Sequence, residues 1–438
     1  MPTPARTTTR RCFATCCTAS RRRPSVKALE KLLDKAGRHF GPGGRLHKFH
    51  ALFEAADTFA LTPPSVTKGA THVRDALDLK RMMMLVVIAM MPCILMAMYN
   101  TGLQANLGID PAKAASLEGW RHDVMRLLGV GYSPDSVAGN FFHGALYFLP
   151  LYIVTMAVGG SWEVLFAIVR RHEVNEGFFV TGMIFPLICP PTLPLWQAAL
   201  GISFGVVVAK EVFGGTGMNF INPALAARAF VFFAYPGDIS GDKVWAAVAP
   251  VAAIDGYSGA TLLAQMRQMT TPFDQAGFSW WNAFIGLEKG SLGETSALAC
   301  LLGAIFLVVT RVGSWRTMAG CVAGTAAMAS LLNAIGSATN PWFAVPFWWH
   351  MVLGGWAFGV AFMATDPVTS PFAETGKLLY GFLIGAFVVL IRVVNPAYPE
   401  AMMLVILFMN VMAPLIDYGF VKANIDRRKR RGAGHGAA

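Results

Sequence analysis

Long runs of apolar residues, separated by short polar stretches and broken by proline, organise this chain. Residues 82–99, MMMLVVIAMMPCILMAMY, carry no charge over 18 positions. That is close to the roughly 20 residues a helix needs to cross the hydrocarbon core. Pro92 lies inside the run and is compatible with it, because packed neighbours satisfy the carbonyl that a membrane-embedded proline frees. A second run covers residues 141–162. Residues 177–209 are also free of charge, but Pro186, Pro190, Pro191 and Pro194 interrupt them. At about 1.5 Å per residue this stretch is too long for one upright helix and short for two, so it predicts a tight helical hairpin. A fifth piece, 223–235, contains Arg228, whose guanidinium needs protein or water around it. Further runs follow at 297–310, 318–335, 347–365, 378–393 and 401–418, which makes ten, five on either side of a polar stretch. The runs are continuous rather than alternating, which excludes a transmembrane β-barrel. The expected fold is an all-α integral membrane protein of about ten transmembrane helices.

Positive charge orients these spans. Lys80 and Arg81, Arg170 and Arg171, Lys210, Arg311 and Arg316, Lys377, and the tail Arg427-Arg428-Lys429-Arg430-Arg431 all fall on one side of the ten-span arrangement. The positive-inside rule then predicts that both termini are cytoplasmic and that the loop after the fifth span faces the other compartment. Lys113, Arg121, Arg126 and Arg392 sort to the opposite side. An odd number of spans per half turns the halves upside down relative to each other, as in inverted-repeat transporters. A short echo between Asn222-Pro223-Ala224-Leu225 and Asp366-Pro367-Val368 fits two inverted five-helix repeats. The expected organisation is a basic extension at 1–25, a cytoplasmic amphipathic region at 26–80, a membrane half at 81–235, a non-cytoplasmic loop region at 236–296, a second half at 297–420 and a basic cytoplasmic tail at 421–438.

Composition agrees with the pattern: of 438 residues 55% are hydrophobic and only 14% charged, with a mean hydropathy of +0.49. The net charge of +11 is explained by loops and by a tail suited to anionic headgroups, without nucleic acid. Residues 1–29 hold seven Lys or Arg and no acid, a transit-peptide-like composition without an amphipathic stripe, which reads as a disordered basic arm. Val26, Leu29, Leu32 and Leu33 then stand at helical spacing before the breaker Gly41-Pro42-Gly43-Gly44. Cys93, Cys189, Cys300 and Cys321 sit singly within spans and no Cys-x-x-Cys occurs, so this chain builds no iron–sulfur cluster. His143 and His350 alone lie near apolar blocks, too few for a two-haem site. Methionine runs such as Met82-Met83-Met84 read as packing, and no metal site is expected.

Chemistry concentrates in Asp255-Gly256-Tyr257-Ser258-Gly259-Ala260-Thr261, within the polar stretch. As structure this is an ordinary turn entering a short helix. As chemistry it suits a hydroxyl presented to a modifying enzyme: Gly259 and Ala260 leave room beside Thr261, and the turn projects it. A phosphate esterified there would lie near a helix N-terminus.

The same run resembles the flavinylation motif of the NqrB/RnfD family, exemplified by a membrane subunit of bacterial sodium-translocating NADH:quinone oxidoreductases. Gly177-Phe178-Phe179-Val180-Thr181, Pro190-Pro191-Thr192-Leu193-Pro194-Leu195-Trp196-Gln197, Lys210-Glu211-Val212-Phe213-Gly214-Gly215-Thr216-Gly217, Asn222-Pro223-Ala224-Leu225 and Asp366-Pro367-Val368 extend the likeness from about residue 26 to 426. Residues 1–25 lie outside it, and Met218 departs from the polar or basic residue expected before Asn219.

The resemblance implies FMN joined through its phosphate to Thr261, with Asp255, Ser258, Gly259 and Ala260 as the surrounding motif, and a non-covalent riboflavin. It implies ubiquinone near Gly159, Gly160, Trp162 and Glu163, taken as a glycine pair at the cytoplasmic end of the second span. It implies sodium as the transported ion, with Glu163, Asp366 and Asp417 as acids of the ion path. Glu163 and Asp366 are read at cytoplasmic helix ends, where solvation or capping is the plain alternative. Asp417 is read beside the basic tail. Expected partners are the other subunits of the complex, a flavin transferase, ubiquinone and membrane lipids, in a bacterial inner membrane. No NADH fingerprint is present, so electrons must arrive from a partner. Two alternatives remain: a D-type subunit of an Rnf ferredoxin:NAD oxidoreductase, and a non-redox secondary ion carrier.

Overall fold

The computed structural model describes residues 79–170, 177–268, 277–395, 398 and 400–435. The basic extension, the amphipathic region up to residue 78 and Arg171 lie outside the described residues. Residues 164–170 belong to one compact unit and all other described residues to a second, which contains every site discussed below.

Among the described residues the regular structure is helical: α1 Leu79–Gly108, α2 Trp120–Leu127, α3 Val137–Arg170, α4 Gly177–Ile188, α5 Leu195–Val207, α6 Pro223–Ala234, α7 Leu262–Arg267, α8 Trp280–Ile285, α9 Ala297–Val309, α10 Trp315–Ile335 and α11 Phe347–Val352. After a short Trp356–Phe358 turn and the π-helical Gly359–Met363 come α12 Glu374–Val394 and α13 Met402–His435. Local chemistry sets many starts. Asn222 accepts from Ala224 N and Leu225 N with Pro223 in the first turn of α6, where a missing N–H costs nothing. Ser296 and Ser314 cap α9 and α10 in the same manner.

Six helices are long and apolar enough to cross a membrane: Arg81–Gly108, Val137–Arg170, Leu195–Phe213, Trp315–Ile335, Glu374–Val394 and Met402–Arg431. Gly177–Ile188, Pro223–Ala234 and Ala297–Val309 are shorter apolar helices. The predicted hairpin at 177–209 is two helices separated at 189–194, where Pro190, Pro191 and Pro194 cannot continue α4. The eighth predicted span is not continuous. α11 stops at Val352, and Gly354 follows at φ +57°, a left-handed conformation that favours glycine.

Two helix pairs meet at glycine. A Cβ at Gly102 or Gly144 would overlap the carbonyls of Asn140 and Met98, so α1 and α3 touch backbone to backbone. Gly320, Gly324, Gly381 and Gly385 do the same for α10 and α12 against the carbonyls of Leu378, Phe382, Thr317 and Cys321. Small residues are the membrane's route to close dispersion contact, because apolar surface gains nothing by leaving lipid. The thiols of Cys93 and Cys300, far apart in sequence, meet at 3.8 Å between α1 and α9.

Candidate cofactor and ion sites

Thr261 is the N-cap of α7, its Oγ1 accepting from Ala264 N at 3.2 Å. The residue is only 8% exposed, so the turn does not project the hydroxyl as its sequence predicts. The physical reason is the cap itself, together with close packing before it. Ala260 is buried, and a Cβ on Gly259 would overlap the carbonyl of Asp242. Gly259 therefore serves a backbone approach rather than room beside Thr261. The turn is further tied by Ala260 N donating to Ser258 Oγ at 3.3 Å and by Gln265 Nε2 donating to Ala260 O at 2.9 Å. Gly256 supplies the φ of +77° that the bend requires.

Thr261 lines a cavity of about 40 Å³ together with Glu288, Lys289, Glu294, Gly354 and Glu400 among others. Ser258, Gly259 and Ala260 do not line it, and neither does Asp255, whose exposed carboxylate pairs with Lys113 at 3.3 Å. Below the cavity Arg228 finds the surroundings its place in an apolar run demands. It donates to Glu400 at 2.9 Å and faces Glu294 at 4.0 Å. Ser291 Oγ also donates to Glu294. The sequence marks Arg228 as needing a partner, but its partners come from two distant loops and carry no signal of their own.

Burial pushes the carboxyl of Glu288 up to about 7, against the opposing pull of Lys289, and that of Glu294 up to about 7 against Arg228. An acid raised by folding is held in its protonated form. Stability is therefore greatest below the ordinary carboxylate range and is lost as pH rises through about 7. Glu288→Gln should gain thermal stability over wild type at pH 8, on the order of 1 kcal/mol after solvent screening. The gain should shrink at pH 5. Melting curves of the purified protein at both pH values check this, and a pH-independent difference would refute it.

The Gly159-Gly160 pair lies inside α3 rather than at a helix end, because the residues after it, Glu163–Arg170, include no breaker and the helix runs on to Arg170. The space left by Gly159 is filled: a Cβ there would overlap the Phe178 ring and approach Ile202 Cγ1 to 3.0 Å. Gly160 is more open, with Phe178 Cε1 at 3.7 Å from its would-be Cβ. Trp162 Nε1 donates to Ser203 Oγ at 2.9 Å, which fixes the indole against α5. Glu163 is neither solvated nor a cap. It meets Lys210 Nζ at 2.5 Å, and the two side chains are 4% and 3% exposed. Lys210, read from sequence as a loop charge, is buried for the same reason.

Lys210 and Asp366 line one cavity of about 80 Å³, with Thr181, Thr216, Asn219 and Asn222. Asp366 accepts from Val368 N at 3.1 Å and from Thr369 Oγ1 at 3.0 Å. Thr216 Oγ1 is buried without a partner. By the volume a single water requires, this space holds several. Glu163 reaches the same region through Lys210, whereas Asp417 does not. Its two oxygens accept from Phe372 N at 2.8 Å and Ala373 N at 2.9 Å, at the start of α12. Asp417, read beside the basic tail, is thus engaged as an acceptor at the start of α12.

The fold and these sites define an all-helical, multi-pass membrane protein with buried ion pairs beside internal cavities. Residues 66–426 match the NQR2, RnfD, RnfE family. The chain belongs to that family. It is similar to the NqrB subunit of the Na(+)-translocating NADH-quinone reductase of Chromohalobacter salexigens, 55% identical over 410 residues, covering 94% of this chain and 98% of that protein. The proteins of the same name from Klebsiella pneumoniae and Neisseria meningitidis are 55% identical over 416 and 414 residues, covering 92% and 93% of this chain and all of theirs.

Proposed function

We propose that this chain is the NqrB-type membrane subunit of a sodium-translocating NADH-quinone reductase, working with the complex's other subunits in a bacterial inner membrane. The observation that carries the reading is its likeness, over nearly the whole length of both proteins, to relatives bearing that name. The Asp-Gly-Tyr-Ser-Gly-Ala-Thr run adds a site: Thr261 is its carrier of covalent FMN. Attachment exchanges the Thr261 O–H bond for an O–P bond. The proton passes to a base of the flavin transferase, and the donor's leaving group departs with the electrons of the broken P–O bond.

The residues at Thr261 fit a phosphate. The lining of the cavity beside the hydroxyl includes the ammonium of Lys289 and the hydroxyl of Thr295, groups that suit an anion. Once attached, the flavin supplies electron-carrying chemistry whose tuning is left to the surrounding protein. The chain's own part is to fix the tether on α7 and, through burial, to keep Glu288 and Glu294 partly protonated near neutral pH, which weakens their repulsion of an anion. A second, non-covalent riboflavin and ubiquinone complete the electron path, the quinone near Gly160 and Trp162.

Sodium enters this reading as cargo. The cavity at Asp366 and Thr216 is mostly apolar, but the oxygens of Asp366, Thr181, Thr216, Asn219 and Asn222 lie in its lining and water fits, which suits a partly hydrated cation with Lys210 held by Glu163. Glu163 is the adjoining acid, its charge held by Lys210. We place the passes as ten in two inverted halves, with the breaks at 189–194 and 353–355 as their discontinuous elements and both termini cytoplasmic.

The test is NADH-driven, quinone-dependent sodium uptake by the purified complex in vesicles. Wild type should take up sodium, and Asp366→Asn should slow uptake by about tenfold at saturating quinone. Sodium uptake indifferent to quinone, or absent during quinone reduction, would remove the reading.

A further inference from the structure

Resting on that reading, the structure assigns a role to a residue that the motif does not contain. We propose that Lys289 is the phosphate-binding residue of the Thr261 site: its ammonium pairs with the phosphodiester that joins flavin to the chain.

Three observations lead there. First, among the described residues that line the cavity at Thr261, Lys289 is the one cation, while Glu288, Glu294 and Glu400 are acids. A phosphodiester carries one negative charge, and in a partly buried space it needs a positive partner or hydrogen-bond donors. Arg228 is outside the lining and is engaged by Glu400 and Glu294. Arg392, beside Gly354, donates to the carbonyls of His350 and Leu353, which leaves Lys289 as the cation that lines the cavity.

Second, Lys289 is already held on the turn that presents Thr261. Its Nζ donates to Ser258 O at 2.5 Å and stands 4.4 Å above the Tyr257 ring. A lysine with nothing to do on this surface would extend its ammonium into water, where it is best solvated. Here it is folded back over the turn. A small rotation about a flexible stem exchanges one oxygen acceptor, the Ser258 carbonyl, for a charged one.

Third, the segment that carries Lys289 is fixed. Asn100 Nδ2 donates to Glu288 O at 2.7 Å from α1, and Ser296 Oγ of the same segment donates to Ile285 O at 2.5 Å. The ammonium is thus presented from a rigid base, which lowers the entropy lost on pairing.

The complex is prepared from two strains, one with its flavin transferase and one without, so that the same sequence is compared with and without FMN. Both are treated briefly with an amine-reactive ester, and labelling of the Lys289 peptide is followed by mass spectrometry. Lys289 should be labelled roughly tenfold more slowly in the flavinylated complex, the protection given by one charge-assisted contact. Lys113, which pairs with Asp255 outside the cavity, should label equally in both and serves as the internal reference. Flavin occupancy in Lys289→Arg should match wild type, while Lys289→Met should fall well below it with an unchanged melting temperature.

Equal labelling of Lys289 in the two preparations, with the FMN mass present on the Thr261 peptide, overturns this assignment alone. Absence of that mass from wild type overturns the flavin reading itself, and this assignment with it. If Lys289→Met fails to assemble, the labelling comparison, which uses only the natural sequence, still decides.

Discussion

Thr261→Ala should leave the protein dark under ultraviolet light on a denaturing gel, where the wild-type band fluoresces. The effect is all or none, because an alanine has no oxygen to carry the phosphate. The fold should survive it. The hydroxyl makes one cap to Ala264 N on a helix of six residues, and loss of a cap of this kind costs about 1 kcal/mol. Thr261→Ser keeps both the cap and the nucleophile and should stay fluorescent. A fluorescent band in Thr261→Ala would move the attachment to another residue.

The burial of Thr261 adds a condition. A transferase must take the hydroxyl into its own site, yet here it is 8% exposed and engaged as a cap. The cap must be released first, at about 1 kcal/mol, and any wider opening of α7 must also unpack Leu262 and Leu263, which are buried.

The second large effect is at Glu163 and Lys210. Lys210→Met leaves a buried carboxylate without its ammonium and should lower stability by about 3–5 kcal/mol. Glu163→Leu strands the lysine and should cost a similar amount. The double replacement Glu163→Leu with Lys210→Met should recover most of the loss, because two well-packed apolar side chains no longer require the charges to be desolvated. Thermal unfolding of the complex in detergent, across the four variants, measures the coupling. Additive losses, or no loss in the single variants, would show that the pair carries no weight. Sodium uptake should not recover in the double variant if Glu163 belongs to the ion path, which separates a structural pair from a functional acid.

Where α1, α3, α10, α12 and α13 lie is legible from the chain, because an apolar run long enough to span lipid has one stable use as a helix. The broken segments were partly legible. Proline marked the interruption after α4, but Gly354 in the eighth run gave no such mark, since glycine within a membrane helix is common and its φ is set by the packing around it. The glycine pair at 159–160 misled for a similar reason. Glycines stop a helix only when the residues beyond them cease to favour one, and here they did not.

Of the candidate residues, Thr261 stands out in the sequence by its run, and Glu163 and Asp366 by the family resemblance. Lys210, Glu294, Glu400 and Lys289 do not. Lys210 looked like a marker of topology, and the others looked like loop charges, because a charge in a loop is usually solvated. Asp417 stands out in the sequence as an acid, but its work as an acceptor for Phe372 N and Ala373 N depends on a helix start 44 residues away.

The sequence by itself determined that this chain lives in a membrane as helices and that it carries the run Asp255-Gly256-Tyr257-Ser258-Gly259-Ala260-Thr261, since both are written in consecutive residues. Only the tertiary structure decided which charges neutralise one another: Glu163 with Lys210 across 47 residues, and Arg228 with Glu400 across 172. A buried charge must be met by an opposite one wherever the fold brings it. Desolvation fixes that need locally, whereas the partner is chosen by helix packing, which one-dimensional order does not carry.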